Sequence, residues 1–203
     1  MPESPTPAET SAQPVRRMPR AQRREQILAA ATRAVARNGF TGTGLPDIAA
    51  EAGITHVILY RHFASKADLY RAVLERAYTR LGDAVGTEKL DGTSISALLR
   101  AAAADPDAFR LLFRHAVREP EFRDVIDMVR SYSTMIAQRY LTDAVPAGPW
   151  QDWAAQVIPT FILDAVIAWL DAGQPDLDDA AERINRAARA LIEVAGGKLV
   201  QKD

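Results

Sequence analysis

The chain has 203 residues, 48% of them hydrophobic, enough to build a sizeable core without covalent staples, and no cysteine, which excludes disulfides, thiolate metal sites and cysteine nucleophiles. Its net charge of −1 conceals two opposed halves: residues 15–80 hold 12 Lys and Arg against 5 Asp and Glu, a net +7, whereas residues 81–203 hold 13 against 19, a net −6. A basic first third on an acidic remainder is the pattern of a polyanion-facing module joined to one that faces something else.

Residues 1–14 are rich in Pro, Ser, Thr, Ala and Glu with almost no large apolar side chain, so they cannot offset their ordering entropy, and residues 1–20 are expected to form a disordered arm. From Gln22 the pattern changes. Ile27, Leu28, Ala31, Ala34 and Val35 recur three and four residues apart, one face of a first helix that Asn38-Gly39 ends. A short second helix is predicted over residues 45–52 with Ile48, Ala49 and Ala52 inward, and Gly53 gives the permissive backbone of a tight turn anchored by Ile54. The third starts after Thr55 as N-cap and runs through Ile58 and Leu59 to about residue 61. The fourth, capped by Ser65, runs from Lys66 through Leu69, Val73 and Leu74 to about residue 81.

A connector over residues 82–92 follows, and helical periodicity returns over residues 95–104, 106–118, 121–141, 150–170 and 177–195. Pro106 and Pro120 stand at helix starts, residues 145–149 form a loop, and Gly173-Gln174-Pro175 closes the penultimate helix. Pro159, inside the eighth helix, predicts a kink or a break. The expected fold class is all-α with about nine helices: a helix-turn-helix domain over residues 21–66 and a larger helical domain over residues 67–203. No stretch approaches the roughly 18 to 20 apolar residues of a membrane span, and the N-terminal residues lack a signal peptide's apolar core, so a cytoplasmic protein with no membrane partner is expected.

A helix-turn-helix needs a bracing helix, a glycine-type turn and a second helix short enough to present its N-terminal residues to the major groove. Residues 45–63 meet that description, with His56, Val57, Ile58 and Arg61 left pointing outward as candidates to face DNA. The segments RREQILAAATRAVARNGF, TGTGLPDIAAEAGITHVILYRHF and ASKADLYRAV, over residues 23–74, resemble the N-terminal signature of the tetracycline-repressor (TetR) family. The resemblance implies phosphate contacts from Thr43, Tyr60, His62 and Lys66, and a base-facing turn at His56, Val57 and Ile58. Three positions depart from the usual pattern. Gly44 replaces a second Thr or Ser and leaves only a backbone amide to offer, Pro46 replaces a polar or basic residue, and Val57 adds bulk where a Gly is frequent. Arg16, Arg17, Arg20, Arg23 and Arg24 form a basic run that either tracks phosphates or a minor groove as an arm or is a solvated tail.

His56, His62 and His115 are scattered and lack carboxylate companions, so no metal site is expected, and Asp124 and Asp127, one turn apart, read as a solvated face. No phosphate-binding glycine loop or nucleophile elbow is present, so neither an enzyme nor a cofactor is expected. The large apolar residues of the C-terminal helices build core by default. The family resemblance implies a small-molecule effector among those helices, which makes Phe109, Phe113, Phe161, Trp153 and Trp169 candidates to line an apolar cavity. Leu177, Ala181, Ile184, Ala188, Leu191 and Ala195 on the last helix, with Trp153, Val157, Phe161 and Val166 on the eighth, look like half of a four-helix homodimer interface, with ordinary intramolecular core as the alternative. The resulting expectation is a homodimeric repressor on a palindromic double-stranded DNA operator, released by a largely apolar ligand. A ligand-independent architectural DNA-binding protein is the competing reading.

Overall fold

The computed structural model describes residues 18–86 and 92–197, and among them every regular element is helical. The first 17 residues, including Arg16, Arg17 and most of the predicted arm, lie outside the described residues, as do residues 87–91 of the connector.

α1 (Arg20–Gly42) buries Ile27, Leu28, Ala31, Ala34 and Val35, the face its spacing predicts. At Gly39 the backbone leaves the helix, with φ 73° and ψ 167°, a conformation that a side chain would strain, so the predicted stop is a kink followed by a short continuation. α2 (Leu45–Glu51) and α3 (His56–Tyr60) turn at Gly53, φ 62°, where the Gly53 N–H donates to the Ala50 carbonyl and that of Ile54 to the Ala49 carbonyl. Thr55 is the N-cap of α3, but its side chain makes no capping hydrogen bond. α4 (Lys66–Val85) is capped reciprocally: Ser65 Oγ accepts from the Asp68 N–H and Asp68 Oδ2 from the Ala64 N–H, each at 3.0 Å. It runs four residues past the prediction. One glycine inside a helix costs only about 1 kcal/mol relative to Ala, and Gly82 does not end it.

α5 (Gly92–Ala104) leads to α6 (Pro106–Arg110), whose N-cap Asp105 accepts from the Ala108 N–H at 3.1 Å. The single helix predicted over residues 106–118 is three pieces: α6, a π-turn over Leu111–His115 and a 3-10 turn over Ala116–Arg118. The wide turn keeps Leu111, Leu112 and Ala116 all inside, a packing demand that overrides the sequence's helical period. A second 3-10 turn, Pro120–Phe122, precedes α7 (Arg123–Leu141), and α8 (Pro149–Asp171) and α9 (Leu177–Ala195) complete the fold. α8 does not break at Pro159. It continues as one element, and the missing N–H of Pro159 leaves the Ala155 carbonyl without its intrahelical donor.

α8 also overturns the expectation that no stretch approaches a membrane span: over an 18-residue window its mean hydropathy is 1.6, long and apolar enough by composition. Its position explains the composition, because α8 lies against α5, α7 and α9 and has apolar neighbours on several sides.

Three apolar clusters hold the chain together. One joins Ile27, Ile48, Leu59 and Phe63 of the N-terminal helices to Leu69 and Val73 of α4 and onward to Leu111, Phe122 and Val129, so core packing crosses residue 66 without a gap. The rings of Phe40, Tyr70 and Phe122 meet there, with centroids 4.6 to 5.0 Å apart, so α1, α4 and the turn before α7 share one aromatic contact. The other two clusters lie among α5, α8 and α9 and among α7, α8 and α9. Ala181, Ile184, Ala188 and Ala195, four residues of the stripe assigned to a dimer interface, are buried in this intramolecular core, and Val166 is fully buried as well. That part of the expectation is corrected. The outer face of α8 keeps Trp150, 64% exposed, with Trp153, Val157 and Phe161 half-buried, and α9 keeps Ala190 and Val194 exposed.

Candidate nucleic-acid interface

α3 is just over one turn long, and its inner side is fixed by Leu59, fully buried, with Phe63 immediately after it. Because 3.6 residues complete a turn, burying Leu59 turns His56, Val57, Tyr60 and Arg61 outward. Val57 is 61% and Tyr60 56% exposed, His56 and Arg61 are exposed, and Ile58 is half-buried at the edge. Gln26 on α1 braces the motif by donating from Nε2 to the Ala52 carbonyl at 2.8 Å, one residue before the glycine turn. Sequence spacing alone gave no hint of that strut.

The phosphate-contact candidates divide. Tyr60 is open to solvent. Lys66, half-buried at the start of α4, holds its Nζ 4.3 Å from the centre of the Phe40 ring, a cation–π contact that positions the ammonium. Thr43 is different. It is fully buried, and its hydroxyl lies 2.7 Å from the Gly39 carbonyl and 3.2 Å from that of Ala34, so the side chain ties down the kinked end of α1 and has no face toward DNA. The Gly44 amide, expected to remain for a phosphate, donates to Asp47 Oδ2 at 2.7 Å. A carboxylate therefore already occupies the N-terminus of α2, the place where an anion gains most from unpaired amides.

The basic run was not legible in its placement. Arg20, Arg23 and Arg24 at the start of α1 come beside the C-terminal end of α3: Arg24 stacks its guanidinium 5.0 Å from the Phe63 ring centre, and burial first, then the charges of Arg20, Arg24 and Arg23, hold the His62 imidazole below its ordinary pKa. His62 is thus a hydrogen-bonding group set among cations that disfavour its charged form, flanked by exposed Arg61. Two acidic groups of this region are neutralised by arginines: Glu51 by Arg33 and Arg37, and Glu25 by Arg76 and Arg80. The second pairing ties α1 to α4, with Glu25 Oε1 accepting from Arg76 Nε at 2.8 Å and from Nη2 of Arg76 and of Arg80 at 2.6 Å.

This exposed, basic-flanked helix coincides with a recognised sequence family. The profile of the bacterial regulatory proteins of the tetR family matches residues 27–73, from within α1 through α2 and α3 to the first turns of α4. The matched segment is that of the TetR family of regulators. Among similar proteins, the HTH-type transcriptional activator FasR of Mycolicibacterium smegmatis is 36% identical over 114 residues, 52% of this chain and 52% of that protein, so the chain is matched over about half that relative's length. The HTH-type transcriptional repressor SCO4008 of Streptomyces coelicolor is 28% identical over 185 residues, 83% of this chain and 94% of that protein. A TetR-like transcriptional regulator from Rhodococcus sp. RHA1 superposes with a TM-score of 0.73 at 22% identity, over 92% of this chain and all of that one, which establishes the shared all-α fold.

The five aromatic candidates for ligand contact do not assemble. Phe109 and Phe113 stack on each other, 4.8 Å between centroids, beside a small cavity of about 200 Å³ under α4. Phe161 lines a surface groove against α7, Trp153 meets Trp150, and Trp169 is buried with its Nε1–H donated to the Pro175 carbonyl. A cavity of about 450 Å³, equal in volume to the Phe161 groove, lies between the end of α4, α5, α7, α8 and α9. Ile95, Leu98, Ile136, Ile158, Ile162 and Leu163 are among the apolar residues of its wall. They fall in segments whose periodicity predicts helix, and periodicity carries no signal that separates a face lining a cavity from one closing a core. Among the described residues, no group of three or more His, Asp or Glu could hold a metal ion.

Proposed function

We propose that the chain is a homodimeric, sequence-specific regulator whose two α3 helices enter successive major grooves about 34 to 36 Å apart, most simply a cytoplasmic repressor acting by occlusion. The observation that carries the reading is the exposed row His56, Val57, Tyr60 and Arg61 on a helix with an anchored inner side, flanked by Lys66 and by Arg20, Arg23 and Arg24. His56 suits a purine edge, and Val57 and Ile58 suit thymine methyl groups, so AT-containing half-sites are favoured. Tyr60, His62 and Lys66 set the register on phosphates, a task in which they carry no sequence information. Thr43 and Gly44 contribute by shaping the entry to α2.

Dimerisation uses the outer face of α8, Trp150, Trp153, Val157 and Phe161, with the exposed side of α9 beside it, and it doubles the bases read on a palindrome. A small, largely apolar effector in the 450 Å³ cavity touches Val85 at the end of α4, and α4 is joined to α1 through Glu25, Arg76 and Arg80. A ligand with a few kcal/mol of preference for one setting of α4 shifts both DNA-binding heads. Footprinting of the chain's own upstream DNA tests the proposal. Two protected patches one helical turn apart are expected, and uniform weak protection along the fragment favours the ligand-independent architectural reading.

A further inference from the structure

We infer that the 450 Å³ cavity selects an aliphatic anion with a single charged head, its hydrocarbon body among α5, α7 and α8 and its oxyanion at Arg189. The inference rests on the reading of that cavity as the effector site, and three features of the lining carry it.

Branched aliphatic side chains are the commonest of the described lining residues, Ser94, Ser133 and Asn185 add neutral polar groups, and Tyr140 is the single aromatic one. The wall therefore offers a flexible alkyl chain close contact but gives a flat ring system or a quaternary ammonium no aromatic cage. No Asp or Glu is among the described lining residues, so a cationic ligand would be desolvated without a counter-charge.

The one charged residue among the described lining residues is Arg189, and it differs from its neighbours on α9. Arg183 pairs with Asp179 and Arg186 with Glu182, each one turn earlier on the helix. The residue one turn before Arg189 is Asn185, which also lines the cavity, and Arg189 makes no ion pair among the described residues. The pattern of carboxylate and arginine four residues apart stops at the arginine that borders the cavity. Arg189 is exposed, so it stands where the cavity meets solvent and can hold an anionic head in a bidentate pair while the body enters the apolar interior.

The test uses the full chain with three probes of one length, decanoate, decanol and decyltrimethylammonium, each below its micellar concentration at fixed ionic strength, followed by calorimetric titration. Decanoate is expected to bind one per chain at least tenfold more tightly than decanol, with the cation weakest. Arg189→Gln, a change at an exposed position, is expected to bring decanoate down to the level of decanol and leave decanol unchanged, with Arg189→Lys in between. Equal binding of the cation and the anion, or a decanoate affinity unchanged in Arg189→Gln, overturns the inference. Operator binding measured with and without decanoate separates the two readings: Arg189-dependent decanoate binding that leaves operator affinity unaltered upholds the ligand class and rejects the cavity as the effector site.

Discussion

At the scale of single residues, chemistry depends on which way a side chain faces, and Thr43 shows how far residue type falls short of that. Its hydroxyl suits a phosphate, but the kink at Gly39 leaves carbonyls that need a donor, and the buried Thr43 supplies it. Thr43→Val, which keeps the shape and removes the hydroxyl, is expected to lower unfolding free energy by about 1 to 2 kcal/mol in urea denaturation, with operator affinity per folded molecule unchanged. An undiminished stability with weakened DNA binding would restore the phosphate role. His62 carries a second prediction. Its folded pKa lies below the ordinary imidazole value of about 6.5, so its contribution to stability is intact above that pH and is lost as pH falls through the lowered folded value. The proposed phosphate contact would favour the protonated ring, so operator binding is expected to take up a proton and affinity to rise as pH falls from 7.5 toward 6. Affinity titrations across that range should show a shallower pH slope for His62→Asn than for the native chain; identical slopes would remove His62 from the interface.

At the scale of elements, amphipathic spacing and end signals located the helices, because a buried face repeats every 3.6 residues and caps have local chemistry. Ser65 and Gly53 act as their residue types predict. What escaped the sequence was set by packing across elements: the π-turn at Leu111–His115, the uninterrupted α8, the placement of Arg20, Arg23 and Arg24, and the cavity. The joint between α1 and α4 is of this kind. Arg76 is only 10% exposed and lies 4.0 Å from Asp105 on its far side, so Glu25 is its main counter-charge. Glu25 itself is 45% exposed, and solvent screening reduces the worth of the pair. Glu25→Gln is expected to cost about 1 kcal/mol and to speed amide exchange where α1 meets α4. Arg37→Ala, at an exposed pair with Glu51, should leave the melting temperature unchanged. Equal effects from the two variants would show that the α1–α4 pairing is no more than surface decoration.

At the scale of the whole molecule, charge asymmetry and helical count made the architecture legible, whereas the α9 side of the expected dimer seam was read from residues that the fold buries. Small and aliphatic residues at helical spacing serve an intramolecular and an intermolecular seam equally well, and Ala181, Ile184 and Ala188 serve the former. The proposed seam is the outer face of α8, which leads to a prediction: Val157→Glu should give a folded monomer by sedimentation and abolish operator binding, while a variant that remains dimeric would move the interface elsewhere. The regulator reading itself stands or falls on specificity. The measurement that tests it most directly is the ratio of affinities for the chain's own upstream DNA and for scrambled DNA of equal composition, at one fixed salt concentration, before and after His56→Ala and Tyr60→Ala. A preference of roughly 10³-fold or more that collapses in His56→Ala, with Tyr60→Ala weakening both DNAs alike, is the expected result. A ratio near one for the native chain would contradict sequence-specific regulation and leave a protein that binds DNA by charge alone.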